Sequence, residues 1–316
     1  MSRYNKKMMI LPSKEFRQTE RRNPASKNLD RMSSLEMIRL MNREDKKIAA
    51  AVAREVPAIA RGVNEIVRCL RSGGRLIYVG AGSSGRLAIL DAAECPPTFG
   101  VSRKTVQALI AGGRRAITDA VEGAEDSVRN AERDLQRARL SRKDAVVGVA
   151  ASATTPYVLG AMRYAKKLGA TTIGVAANRV GPLRKLAKIF IGPEVGPEVL
   201  TGSTRLKAGT AQKMVLNMLS TASMVELGHA YENLMIDAVL TNKKLEGRAV
   251  RILQAASGKN VSSAEHALRS SGHNMRLGLI MLKRGVRAAE ARKLLANAKG
   301  NLRLALGEAK RMRRNG

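Results

Sequence analysis

With 316 residues and 44% hydrophobic content, the chain is long enough for a large core and a smaller one beside it, and its composition is globular. A formal charge of +31, from 57 basic and 26 acidic residues, raises a nucleic-acid role, but aromatics make up 3% with no tryptophan to stack bases on, and no zinc finger or RNA-recognition motif occurs. Spread along helical faces apart from the tail at 310–314, the charge reads as a solvated cationic surface that binds nucleic acid only nonspecifically and helps to capture a phosphorylated substrate.

The N-terminal stretch is polar and basic, with one apolar run at 8–11 that is too short for a secretory signal; Glu15 and Glu20 count against a transit peptide. No stretch reaches the length of a membrane span, so a cytoplasmic protein is expected. A short helix is predicted over 34–41 and a long amphipathic one over 46–71, bent at Pro57 and stopped by Gly73 and Gly74. Cys69 and Cys95 show neither metal nor redox spacing, which predicts buried, unpaired thiols.

Residues 76–79 form a short apolar run bounded by glycine, the pattern of a buried strand. Gly80, Gly82 and Gly85 follow, allowing a tight turn and close approach to a ligand, and the helix that starts there points unpaired N–H groups at an anion. The spacing matches the dinucleotide fingerprint, which also expects an acidic residue about 20 positions on. Residues 104–113 contain none, and the hydroxyls of Ser83 and Ser84 suit the free oxygens of a phosphomonoester better than a pyrophosphate; a structural turn without ligand is the remaining alternative. The same helix delivers Glu94.

Further strands are predicted at 105–111, 145–150, 171–177 and 188–191, alternating with helices. This reads as a parallel sheet covered on both faces, with ligands at the carboxyl ends of its strands. The strand at 145–150 runs into Ala151, Ser152, Ala153, Thr154 and Thr155 and then a helix begun by Pro156. Two hydroxyl-rich helix starts read as a shared phosphate cradle, or as two ordinary N-caps. Glu122, Glu125 and Asp126 form an acidic cluster in an acid-poor chain. Residues 211–227 are a Met- and Leu-rich helix suited to core or subunit interface. From about Gly247 short basic helical segments take over, and the pattern from Ala264 to Leu277 approximately repeats from Ala289 to Leu304. This is a small helical appendage whose halves pack on each other or meet a partner.

The stretch 75–100, with its loop glycines and serines and Glu94, resembles the N-acetylmuramic acid 6-phosphate etherases of the sugar isomerase (SIS) domain superfamily, relatives of the glucokinase regulatory protein. Asn23-Pro24-Ala25-Ser26, Ser34-Leu35-Glu36-Met37, residues 121–126 and 196–213, and Asn233-Leu234-Met235 carry the same likeness, over most of residues 20–250. The resemblance implies an α/β protein: a flavodoxin-like three-layer domain with a five-stranded parallel sheet at 46–245, an N-terminal arm at 1–45 and a small UBA-like helical region at 246–316. It further implies a lyase that cleaves the D-lactyl ether of N-acetylmuramic acid 6-phosphate in cell-wall amino-sugar catabolism. That lyase would need no metal or other cofactor and would work as a homodimer with its sites near the subunit interface. The family's acid/base carboxylate falls on Glu94 and its second carboxylate on Glu125; substrate and phosphate contacts fall on Gly82, Ser83, Ser84, Ser152, Thr155 and Ser203.

Elementary chemistry agrees. In the open-chain sugar the aldehyde acidifies the C2 proton, so a base removes it while an acid protonates the departing ether oxygen at C3, and two proton-transfer groups suffice. Of the histidines, at 229, 266 and 273, two lie in the appendage, which leaves carboxylates for the sheet domain; Cys95, Pro96 and Pro97 would give Glu94 a partly buried, apolar setting suited to a proton shuttle. Where family members usually read Ala-Ser-Gly-Arg-Thr-Pro, this chain has Ala153 for the glycine and Thr154 for the arginine. Alanine suits that place only if the loop keeps a negative φ, and threonine lacks the arginine fork. The change points to an altered ligand or weakened catalysis, and favours the alternative of a non-catalytic sugar-phosphate sensor like the glucokinase regulatory protein.

Overall fold

The computed structural model describes residues 18–308, so the apolar run at 8–11 and the basic tail at 310–314 lie outside the described residues. Each predicted strand forms: β1 (Leu76–Gly80), β2 (Val106–Ile110), β3 (Ala145–Val149), β4 (Thr171–Val175) and β5 (Ile189–Ile191). All are parallel, in the order β2-β1-β3-β4-β5. Every residue of β1, β3 and β4 is buried, which is why these strands read as unbroken apolar runs rather than alternating ones. Along β1 successive side chains still point to opposite faces. Ile77 and Val79 join the core formed with α4 (Val128–Arg137), α5 (Pro156–Lys167) and α6 (Pro182–Leu186), while Tyr78 reaches Asp91 of α3 (Gly82–Phe99). The order reverses between β1 and β3, whose ends pair as Gly80 with Val149, and the loops leaving these two strands diverge from one crevice.

The helices before the sheet divide differently from the sequence reading. The predicted 34–41 helix and the start of the long one are a single helix, α1 (Ser34–Ala53), opened by a capping box between Ser33 and Glu36. Asn42, Arg43, Glu44 and Asp45 look like a break but are helical, because Glu44 points inward and is paired there. The interruption falls instead at Arg54 and Glu55, and Pro57 occupies the first turn of α2 (Val56–Arg71), where its missing N–H costs nothing. Cys69 and Cys95 are both buried and neither is in a disulfide, as predicted.

A buried ionic knot ties Asn23 and α1 to α7 (Lys207–Glu226). Lys207, 1% exposed, binds Glu44, 3% exposed, at 2.7 Å. Asn23 donates to Glu44 at 2.9 Å and to the Pro197 carbonyl at 3.1 Å. The Glu198 carboxylate accepts the backbone N–H groups of Lys207 and Ala208, both at 2.9 Å, capping the start of α7. Burial pushes the Glu198 carboxyl above its ordinary value. Burial acts the same way on Glu44, but the bonds from Lys207, Lys47 and Asn23, together with the Lys207 charge, outweigh it and hold Glu44 at about 2.

The chain forms two compact units. Among the described residues, one holds those up to Ala93 with Arg103–Ser223; the other holds Glu94–Ser102 and those from Met224. In the second unit, Val239 N–H donates to the Pro97 carbonyl at 3.0 Å, tying the end of α3 to the 237–239 segment. Beyond it come α8 (Lys243–Ser257), α9 (Val261–Ser270), α10 (Met275–Arg284), α11 (Ala288–Asn297) and α12 (Leu302–Ala305). The sequence repeat has a physical basis: Asn274 and Asn301, matching positions, each cap the following helix through its third N–H. Both halves contribute to one apolar core, with Leu268, Leu277, Ala291 and Leu302 in the same cluster, so they pack on each other.

Lys207→Met leaves Glu44 with the exposed Lys47 as its only cation among the described residues and is expected to cost about 3 kcal/mol in urea unfolding, with most of that recovered when Glu44→Gln is added. Because the folded pKa of Glu44 is depressed, its contribution is complete above the ordinary carboxylate value of 4.5 and is lost as pH falls through about 2. Wild-type stability should therefore decline over that window more steeply than that of the double variant.

Candidate functional site

The first hydroxyl loop leaves β1. Gly82 adopts φ +51°, a left-handed conformation at the start of α3. Ser83 is half-buried and Ser84 buried. Neither is spent as a side-chain cap. The Ser84 hydroxyl instead donates to Gln212 Oε1 of α7 at 2.8 Å.

The second loop leaves β3 beside it. Ala153 lies at φ +61° and is fully buried. The loop therefore takes the left-handed turn that a glycine would give, so the condition under which alanine suits it is not met, and the surroundings impose the turn on alanine. A Cβ added at Gly181 would come within 2.8 Å of the Ala153 Cβ, so neither position has room to relax. Leu183 N–H holds the Ala153 carbonyl at 3.2 Å, and Asn178, itself bonded to Thr19, holds that of Ala151 at 3.1 Å. Thr154, in place of the arginine, turns inward: its Oγ1 and N–H both donate to Ser152 Oγ, at 2.9 and 3.3 Å. With two donors already received, Ser152 has its own proton to offer. Thr155 is the N-cap of α5 but makes no capping bond, so its hydroxyl is not engaged in holding the helix. The alternative of two ordinary N-caps thus finds no capping bond at Ser84, Ser152 or Thr155.

A cavity of about 280 Å³ opens at the ends of β1 and β2, and Gly82, Arg86, Glu122, Glu125 and Asp126 are among its lining. Arg86 fixes its wall by donating to the carbonyls of Ala116, Ile117 and Asp119 at 2.9–3.1 Å. Glu125, exposed on a short 3-10 turn between the left-handed Gly123 and α4, sits on the rim. The structure thus brings Gly82 and Glu125 to one cavity, and puts Ser83 and Ser84 on the first turn of α3 and Ser152 and Thr155 on the segment leading into α5, beyond the ends of adjacent strands. Ser203 lies apart from this cavity's lining, in the turn before α7, with its N–H on the Leu200 carbonyl at 3.0 Å.

Glu94 is carried by the same helix as Ser83 and Ser84. One turn earlier, Asp91 is buried and accepts from Tyr78 at 2.7 Å, Asn217 at 2.7 Å and Ser220 at 3.0 Å, which fixes the rotation of α3 against β1 and α7. The partial burial expected for Glu94 is absent: Cys95 turns inward, Pro97 is exposed, and the glutamate faces outward. Gln212, Asn178, Arg86 and Asp91 escaped the sequence reading. The available signal was, for Gln212, a glutamine four residues before Leu216 on the helix face that also carries Ala208, and for Asp91 an acid one turn before Glu94.

A parallel sheet whose reversal is flanked by two hydroxyl-bearing helix starts is the architecture of a SIS sugar-phosphate domain, and residues 58–166 match the glucokinase regulatory protein N-terminal SIS domain. Over 288 residues, 91% of this chain and 98% of the relative, the sequence is 51% identical to the N-acetylmuramic acid 6-phosphate etherase of Yersinia pestis (strain Pestoides F). The same figures hold for that of Yersinia pseudotuberculosis serotype O:1b (strain IP 31758). The chain belongs to the N-acetylmuramic acid 6-phosphate etherase family. Among solved structures, a phosphoheptose isomerase from Francisella tularensis superposes with a TM-score of 0.48 at 19% identity, covering 62% of this chain and 100% of that one.

The left-handed alanine gives a direct test. Ala153→Gly removes about 1 kcal/mol of backbone strain but also a buried methyl worth about 0.8 kcal/mol, so the unfolding midpoint should barely move. Ala153→Val, β-branched in the same conformation and without space, should lose more than about 2 kcal/mol in urea unfolding.

Proposed function

We propose that the protein is a carbon–oxygen lyase that converts N-acetylmuramic acid 6-phosphate into N-acetylglucosamine 6-phosphate and D-lactate. The observation that carries this is the 51% identity to named etherases over 91% of the chain, with Glu94 and Glu125 both present. In this reading the 6-phosphate is held at the sheet reversal by Ser83, Ser84, Ser152 and Thr155 and by the first N–H groups of α3 and α5, where oriented dipoles favour an anion. Gly82 lets the backbone approach, and Ser203 completes the substrate contacts.

With the phosphate anchored and the sugar open, the aldehyde makes the C2 hydrogen acidic. A carboxylate removes that proton, the C3–O bond breaks, and the lactyl oxygen leaves with a proton from a carboxylic acid. Water then adds at C3 while C2 is reprotonated, so atoms balance and each carboxyl group ends in its starting state. Glu94 carries the acid/base work and Glu125 is the second carboxylate. The chemistry is proton transfer throughout and asks for no cofactor.

A homodimer accounts for two features of the isolated chain. Leu90 of α3 and Met218 of α7 are 50% and 37% exposed on helices joined by the Asp91–Asn217 bond. Covering that face with a second copy, and the site with substrate, would give Glu94 the dry surroundings that its own neighbours do not. The catalytic domain would span 46–245, between the 1–45 arm and the 246–316 helical region. A cytoplasmic location fits a phosphorylated sugar substrate, and no described helix is long and apolar enough to cross a membrane. The +31 charge would favour capture of an anionic substrate, with only nonspecific affinity for nucleic acid. The sensor alternative draws on the altered second loop, but Thr154 there orients Ser152 rather than blocking it.

Glu94→Gln is isosteric and should reduce D-lactate release from N-acetylmuramic acid 6-phosphate by at least about 10³-fold while the sugar phosphate still binds in calorimetry. Lactate release within tenfold of wild type would remove Glu94 from the acid/base role.

A further inference from the structure

Gln212 is 1% exposed, its Oε1 receives the Ser84 hydroxyl at 2.8 Å, and its Nε2, though buried, meets no acceptor among the described residues. An orphaned buried amide donor is costly, more so than an orphaned carbonyl, which tolerates partial satisfaction. Its nearest buried neighbours on α7, Ala208, Ala211, Val215 and Leu216, are apolar and fully buried, so the amide stands where a leucine would pack. A half-turn of the amide about its last bond exchanges Nε2 and Oε1 with almost no movement of heavy atoms. Nε2 then donates to Ser84 Oγ, and the serine proton is released from the protein interior.

We propose that Gln212 is a positioning residue that sets the direction of the Ser84 hydroxyl, turning it outward when a phosphate occupies the crevice at the β1/β3 reversal. This rests on the reading of Ser84 as a phosphate contact. Without an anion, Ser84 spends its proton on Oε1. With one, the reversed amide gives Nε2 an acceptor, and the Ser84 O–H makes a charge-assisted bond to a phosphate oxygen. Both groups are then better satisfied than in the empty site, so the anion itself supplies the preference. Ser152 is already held this way by Thr154, whose two donors leave the Ser152 proton to point elsewhere. The two loops thus reach one result by different means, the first through a reversible amide and the second through a fixed pair of donors.

Gln212→Glu tests this, because a carboxylate only accepts and holds the Ser84 proton inward. KM for N-acetylmuramic acid 6-phosphate, and the inhibition constant of inorganic phosphate, should rise at least about tenfold with kcat within about twofold. Gln212→Met, which neither donates nor accepts, should raise KM about threefold in the wild-type background and not at all on Ser84→Ala. Unchanged KM and phosphate inhibition in Gln212→Glu, or equal effects of Gln212→Met in both backgrounds, would overturn the proposal. If Gln212→Glu does not fold, the Gln212→Met cycle decides alone. Ser84→Ala separates the two levels: no rise in its KM would mean that the phosphate reading of Ser84 has failed, whereas a rise in Ser84→Ala without one in Gln212→Glu means that only the role of Gln212 has.

Discussion

Lys207 and Glu44 are each almost removed from water and bind each other at 2.7 Å, and much of the site's geometry descends from that pair. Neither charge is tolerable there alone, so burial of α1 and the start of α7 become one event. Asn23 and Glu198 complete the knot, which fixes where α7 begins. From that origin α7 presents Gln212 to Ser84 and Asn217 and Ser220 to Asp91, and so sets the depth and rotation of α3. α3 in turn carries Gly82, Ser83, Ser84, Arg86 and Glu94. The Asn23 and Glu198–Lys207 segments, which look like signature residues of the family, thereby have a structural reason for their chemistry.

The sheet was legible because its strands are short apolar runs closed by glycine or hydroxyl residues, and parallel burial on both faces leaves no alternation to confuse them. The helices before it were less so. Glu44 and its neighbours look like a polar break in sequence, and only a lysine 163 positions away makes them helical. The two hydroxyl loops could be read locally and suggested one shared cradle; what makes β1 and β3 neighbours, the reversal of strand order between them, has no local signal. Glu94 was found by its place in a motif, but its exposure was missed, because the orientation of Cys95 and Pro97 depends on how α3 is rotated.

The second loop shows how a substituted motif keeps its form. Alanine at 153 accepts the left-handed turn because Gly181 and the surrounding backbone bonds leave no other conformation. Thr154 lacks the reach and charge of an arginine, yet its hydroxyl polarises Ser152 from within the loop. The loop lacks that cation in a chain otherwise rich in them, and the net charge of +31 offers long-range attraction in place of a local contact.

Elimination followed by addition of water at C3 leaves an isotopic signature. Turnover of N-acetylmuramic acid 6-phosphate in ¹⁸O-labelled heavy water should place ¹⁸O on C3 and deuterium on C2 of the N-acetylglucosamine 6-phosphate, with no ¹⁸O gained by the lactyl hydroxyl. Label in that hydroxyl, or a product still carrying its original C2 hydrogen, would contradict it.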